Sequence, residues 1–171
     1  MKADQRVVAM GAASGVVAMA ASVWLLERMM PRPAIADSPG ERLAYALRAD
    51  VFALIPLFAM LATVGNSRFT SEAIGPTRGA ESRRMEIDGR VADNTLQQSF
   101  VFAVASLALS TLVPLDQLAV VWACAIVFVA ARALFWIGYR VHPLYRAPGM
   151  SATAYLNLGM IAYSLFRICG G

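Results

Sequence analysis

Charge is scarce in this sequence: 15% of its 171 residues are Asp, Glu, Lys or Arg, 58% are hydrophobic, and the mean hydropathy is +0.58. That balance excludes an ordinary soluble domain and points to a polytopic membrane protein. Histidine occurs once, at His142 beside Pro143, with no carboxylate or second ligand close by in sequence, so it reads as an ordinary loop residue and not as a base or a metal ligand. Cysteine occurs twice, at Cys124 and Cys169, both in apolar spans where a thiol is expected to act as a small hydrophobe. Such a pair gives no reading of redox compartment. No internal repeat or low-complexity tract is present. The fifteen basic residues exceed the eleven acidic ones, for a formal charge of +4. They are scattered through the loops and form no single patch, so nucleic acid is not an expected partner.

Against that scarcity stand long apolar blocks, each close to the roughly 20 residues that a helix needs to cross about 30 Å of hydrocarbon. Residues 7–26 carry no charge. Residues 51–67 are likewise uncharged, with 43–47 available to lengthen them. Residues 94–115 form a third block, 117–139 a fourth interrupted by Arg132 alone, and 147–166 a fifth. Lipid offers backbone groups no partner, so all five are expected to be helices, giving an all-α integral membrane bundle. Lys2 and Arg6 ahead of the first block, with Ala34 to Ala36 beyond it, imitate a signal peptide. The block exceeds the usual signal core, however, and Glu27, Arg28 and Arg32 separate it from the imitated cleavage site, so a retained anchor is expected. Five spans put the N-terminus and the loops at 68–93 and 140–146 on one side. That side holds nine basic residues against five opposite (Arg28, Arg32, Arg42, Arg48 and Arg167), which predicts a cytoplasmic N-terminus and an external C-terminus.

Gly11 and Gly15 make a G-x-x-x-G pair, continued roughly by Ala18 and Ser22, and predict close helix packing, within the bundle in preference to between subunits. Pro56 is expected to kink the second span. The loop at 68–93, with Gly75-Pro76, Gly79 and Asp88-Gly89, is the longest polar segment. Pro114-Leu115-Asp116 predicts a tight helical hairpin between the third and fourth spans.

Two places could carry chemistry. Arg90, Asn94 and Gln97 or Gln98 share one face at the start of the third span. They form either a binding ladder or an interfacial helix start with Asp93 as its N-cap. Arg132 lies well inside the fourth span, where an arginine costs about 2.5 to 3.5 kcal/mol on insertion scales. Phe135 and Tyr139 continue its stripe. Either Arg132 faces the bundle interior, or it snorkels to the headgroups near Tyr139 and Arg140. The remaining tyrosines, Tyr145, Tyr155 and Tyr163, and the three tryptophans read as interface anchors or packing residues.

Arg90 followed by Asn94-Thr-Leu-Gln97-Gln98 resembles the Arg, then Asn-x-x-Glu signature of the MAPEG family, the membrane-associated proteins in eicosanoid and glutathione metabolism. Bacterial members often read Asn-Thr-Leu-Glu-Gln there. Ala131-Arg132, Gly138-Tyr139, Arg146-Ala-Pro148-Gly and Ser151 are similar to the family's third helix, its following loop and the start of its fourth helix. The resemblance implies a four-helix membrane domain at 43–171 preceded by an added transmembrane helix and linker at 1–42. It implies a homotrimer in a bacterial inner membrane, with glutathione or a related thiol as co-substrate between subunits near the cytoplasmic side and a lipophilic small molecule arriving from the lipid bilayer. On that resemblance Arg90, Asn94, Gln97 and Ser151 would hold the thiol, and Arg132, Tyr139 and Arg146 would carry the catalysis of a transferase or peroxidase. Three positions depart from the pattern. Gln97 replaces a glutamate, Asp93 stands where a basic residue is common, and Met150 occupies the place of an activating arginine. These departures motivate an alternative, a non-catalytic family scaffold that binds lipid or a membrane partner. A small transporter has less support, because only Arg132 lies deep and no pair of broken helices marks a midplane site.

Overall fold

The computed structural model describes residues 3–74 and 81–170; Gly75, Pro76 and Gly79 of the long loop lie outside the described residues, as do Lys2 and Arg78 of the charge count. Within them the chain is helical, without strands: α1 (Ala3–Met29), α2 (Pro39–Ala53), α3 (Ile55–Phe69), α4 (Arg83–Leu112), α5 (Val120–Val141) and α6 (Ala147–Ile168). Four stretches are long and apolar enough to cross a membrane: α1, the 31-residue run Pro39–Phe69, α4, and Leu115–Val141. The fifth, α6, is as long as α5 at 22 residues. It is less apolar because it carries Ser151, Thr153, Asn157 and Ser164, all of which turn into the bundle.

Two spans begin earlier than the charge-free blocks suggested. The Ser38 hydroxyl accepts from the Glu41 backbone N–H at 3.3 Å, and Pro39 follows as the first helical residue, a start signal that needs no apolar run. Arg48 and Asp50 therefore lie inside the second span. Its break falls at Leu54, two residues before Pro56, whose ring removes a donor there. The third span likewise starts at Arg83, where the Ser82 hydroxyl accepts from Met85 N at 3.3 Å. Asp93 is thus mid-helix and caps nothing, and the second half of the expected loop is helix. Cys124 is buried as expected, whereas Cys169 lies exposed just past α6.

The core is built from small residues that let helices approach. Ala46, Ala49 and Ala53 of α2 meet Phe102, Ala105 and Leu109 of α4 and Val121, Ala125 and Phe128 of α5, with Leu156 and Met160 of α6 closing the cluster. The Phe102 and Phe128 rings sit 4.6 Å apart. Arg42 reaches back from α2 to the end of α4, donating to Ser110 O at 3.0 Å and Val113 O at 2.7 Å, which satisfies carbonyls that a helix C-terminus leaves open. Asp50, buried in the second span, accepts a 2.5 Å hydrogen bond from Ser106 of α4. Outward, large apolar side chains such as Phe58, Phe100, Leu134 and Phe166 are exposed on successive helices, the surface that a bilayer covers.

α1 lies on α6, α5 and the turn between them. Its glycines make the contact. A Cβ at Gly15 would fall on the Pro148 carbonyl oxygen and 2.7 Å from Ser151 Oγ, while Gly11 lies against the Pro148 ring. The G-x-x-x-G pair is therefore used inside the chain. Overpacking of a close helix contact costs about 1 to 3 kcal/mol. Gly15→Val is expected to displace α1 and lower the thermal midpoint in detergent. Gly65→Ala, where a Cβ meets open space, should hold or raise it, and equal melting of the two variants would deny α1 its glycine-dependent seat.

Candidate functional site

Between the first half of α4 and the second half of α5, the sequence brings together polar residues of both helices. Arg132 has no exposed surface, so it faces the bundle interior and does not snorkel. Its Nη1 donates to Asn94 Oδ1 at 2.9 Å, and its guanidinium lies 4.2 Å from the Phe135 ring centroid, one turn further along α5. Nε and Nη2 have no hydrogen-bond partner among the described residues, nor do the buried hydroxyls of Thr95 and Ser99, one and five residues beyond Asn94 on α4. A charged group with open donors in an apolar interior is an unfinished site.

The ladder expected on α4 divides in two. Asn94 and Gln98 turn partly inward, Asn94 to Arg132 and Gln98 to Asn157 of α6, whose Nδ2 donates to Gln98 Oε1 at 3.0 Å and to its backbone oxygen at 3.1 Å. Arg90 and Gln97 are exposed. Tyr139, nearly buried, packs beside Phe135, and the exposed Arg146 stacks its guanidinium 4.9 Å from the Tyr139 ring centre. The chain can bring Arg146 back over Tyr139 because Gly138 lets the Tyr145 carbonyl approach where a Cβ would clash. Ser151 points elsewhere, toward the added helix, donating to Ala12 O at 3.0 Å and Pro148 O at 3.1 Å. The structure thus unites Asn94, Arg132, Tyr139 and Arg146, leaves Arg90 and Gln97 on the outer face of α4, and sets Ser151 against α1.

A cleft of about 730 Å³ opens at the end of the bundle where α4 begins and α5 ends, lined by Arg83, Arg84 and Ile87 of α4, Tyr139 and Arg140 of α5, and His142. Neither Asn94 nor Arg132 lines it, and its wall residue Arg140 is held from behind by the buried Asp88, which pairs with Arg140 at 2.6 Å and accepts the Trp136 indole N–H at 2.8 Å. Asp88-Gly89 in isolation is a turn signal, and the tie depends on the Ser82 cap that makes this stretch helix. With Asp88 engaged, Arg83 and Arg84 leave the cleft a net cation that suits carboxylates or phosphates.

A model of the MAPEG family matches residues 43–166. The chain belongs to the MAPEG family. Two curated relatives share this region: Transmembrane protein 79 of Mus musculus, 28% identical over 125 residues, and Transmembrane protein 79 of Bos taurus, 26% identical over 125 residues. Each alignment covers 73% of this chain but only 32% and 31% of the relative, so the chain spans about a third of the length of the proteins it matches. No solved structure matches. α1 lies outside the family region, so the MAPEG helices here are α2 with α3, then α4, α5 and α6.

Removing one partner of a buried ion pair costs about 3 to 5 kcal/mol. Asp88→Ala leaves Arg140 and the Trp136 indole without their acceptor. It is expected to lower the unfolding midpoint sharply and to shift tryptophan emission to the red. An unchanged midpoint would mean that Asp88 does not organise the cleft.

Proposed function

We propose that this end of the bundle binds glutathione or a related thiol as co-substrate and uses it on a lipophilic molecule from the bilayer, by conjugation to an electrophile or by reduction of a lipid peroxide. The observation that carries the reading is the buried Arg132, tied to Asn94 with two nitrogens to spare and joined through Phe135 to Tyr139 and Arg146. A free thiol has a pKa of about 8.5, so at neutral pH the reactive thiolate needs cationic or donor neighbours. Arg132, Tyr139 and Arg146 supply them. In conjugation the sulfur donates its electron pair to the electrophilic carbon and the leaving group departs with the bonding pair. Arg90, Asn94 and Gln97 hold the tripeptide, the guanidiniums of Arg83 and Arg84 take its carboxylates, and Ser151 joins them only when its hydroxyl leaves Ala12 O. Arg90, Gln97 and Arg146 are open on the single chain, which supports a homotrimer in which a neighbour closes the pocket. The resemblance to bacterial members and the nine-to-five basic asymmetry support a bacterial inner membrane with this end cytoplasmic.

A second reading, a non-catalytic MAPEG scaffold, draws on specific observations. The Ser151 hydroxyl is engaged by α1, Arg132 is enclosed, and Gln97 offers no anion to the tripeptide's ammonium. The names of the relatives also state no reaction.

Calorimetry with glutathione on the detergent-purified protein, paired with a lipophilic electrophile assay on the same sample, separates the two. Micromolar binding with turnover supports the transferase; no binding at millimolar glutathione supports the scaffold. Arg90→Ala removes an exposed cation and leaves the fold intact. It should weaken glutathione binding about 10- to 100-fold, the worth of one charge-assisted hydrogen bond, and unchanged affinity would remove Arg90 from the site. A C-terminal alkaline phosphatase fusion should be active and a C-terminal green fluorescent protein fusion dark in cells; the reverse pattern inverts the orientation.

A further inference from the structure

At the opposite end of the bundle, where α1, α4 and α6 finish and α5 begins, a larger cleft of about 830 Å³ separates α1 from the helices that match the family. It arises from the way α1 is seated. Gly11 and Gly15 bring α1 onto Pro148 and Ser151, and further along α1 the larger side chains of Met19, Val23 and Trp24 wall the cleft. Buried Leu109, Val113, Cys124, Leu156 and Met160 form the floor. Midway along α6, a Cβ at Gly159 would meet nothing within 4 Å, so the gap is not filled by neighbouring side chains. Eight residues of α5 separate Cys124 in this cleft from Arg132, about 12 Å along the axis, and neither Asn94, Arg132 nor Tyr139 lines it.

The rim carries charge. Arg28 and Arg32 line the mouth, and Arg167 donates to the hydroxyl of Tyr163, a third rim residue, at 3.0 Å. Glu27 and Asp116 also line it. The ion pairs among the described residues are Arg42 with Asp37, Arg68 with Glu81 and Arg140 with Asp88, so neither Arg28 nor Arg32 is neutralised by a carboxylate contact. Arg28 instead stacks 4.1 Å from the centre of the Trp24 ring, an arrangement that leaves its N–H edge open. An apolar floor below two guanidiniums that neither Glu27 nor Asp116 contacts suits an amphiphile with an anionic head, and the volume falls within the roughly 300 to 1,000 Å³ of ligand sites.

We propose that the cleft between α1 and α6 is a binding site for one anionic phospholipid, its acyl chain against Met19, Leu109, Leu156 and Met160 and its phosphate on Arg28 and Arg32. The site is independent of the thiol reading, since it shares no residue with it and belongs to the helix that precedes the family region. The probe is phosphatidylglycerol titrated into detergent micelles of the full chain, with phosphatidylcholine of the same acyl chains as control, read by native mass spectrometry. The expected result is one retained phosphatidylglycerol per chain and preference over phosphatidylcholine. Arg28→Gln with Arg32→Gln, both exposed, should weaken retention about 30-fold, as expected for two cations at a membrane surface. Gly159→Leu, which fills the trough without touching backbone, should abolish it. Equal retention of the two lipids, or retention unchanged in the double glutamine variant, overturns the proposal and leaves ordinary boundary lipid. Should Gly159→Leu fail to fold, the glutamine pair decides alone. Glutathione binding measured on the same variants should not move, which keeps this test apart from the fate of the thiol site.

Discussion

A guanidinium enclosed by apolar helices has to find its partners within the protein, and Arg132 finds one in Asn94 and a ring face in Phe135. That requirement fixes the facing of α5 against α4, since rotating either helix would strand a charge in hydrocarbon. The same constraint recurs along α4. Ser106 donates to Asp50 of α2, Asp88 holds Arg140 and Trp136 of α5, Gln98 accepts from Asn157 of α6, and the last carbonyls accept from Arg42 of α2. α4 is therefore the common member of the polar ties that set the register of the bundle. Lipid tails are as apolar as leucine, so helix association in a bilayer depends on such bonds and on close packing more than on burial from water.

Close packing is supplied where side chains are smallest. Alanines at 46, 49 and 53 bring α2 onto the core, and Gly149 allows the start of α6 to touch the α5 backbone at Ala131 and Phe135. Gly138 does the same for the turn at Tyr145. These two contacts close the α5–α6 hairpin around the candidate site and carry Arg146 over Tyr139, so the stacking of a loop arginine on a helix phenol follows from two glycines, one in each helix of the hairpin.

The number of spans and their order were legible because charge-free runs are a direct record of what hydrocarbon tolerates. Their ends were not. Asp50 and Arg48 looked like flanking charges, and only the Ser38 cap shows that the helix had already begun; the buried hydrogen bond to Ser106 depends on a partner 56 positions away. Asp88 was misread for the same reason, since Asp-Gly reads as a turn in isolation while the Ser82 cap makes it helix. Of the site, the α4 and α5 motif residues could be named from the family pattern. That Asn94 faces Arg132 while Gln97 does not is a matter of helix phase fixed by tertiary contacts, and spacing alone left both faces open.

The added helix bears on both ends of the molecule. At one end it takes the hydroxyl of Ser151, a residue matched to the family's fourth helix, into a bond with Ala12, so the start of α6 is held by a segment that the family pattern lacks. Met150 beside it stays exposed. At the other end the same helix walls a trough whose mouth carries Arg28 and Arg32. The close contact at Gly15 is made where α1 has no side chain, and the cleft from Met19 onward is walled where its side chains are large, so both features follow one sequence gradient along α1.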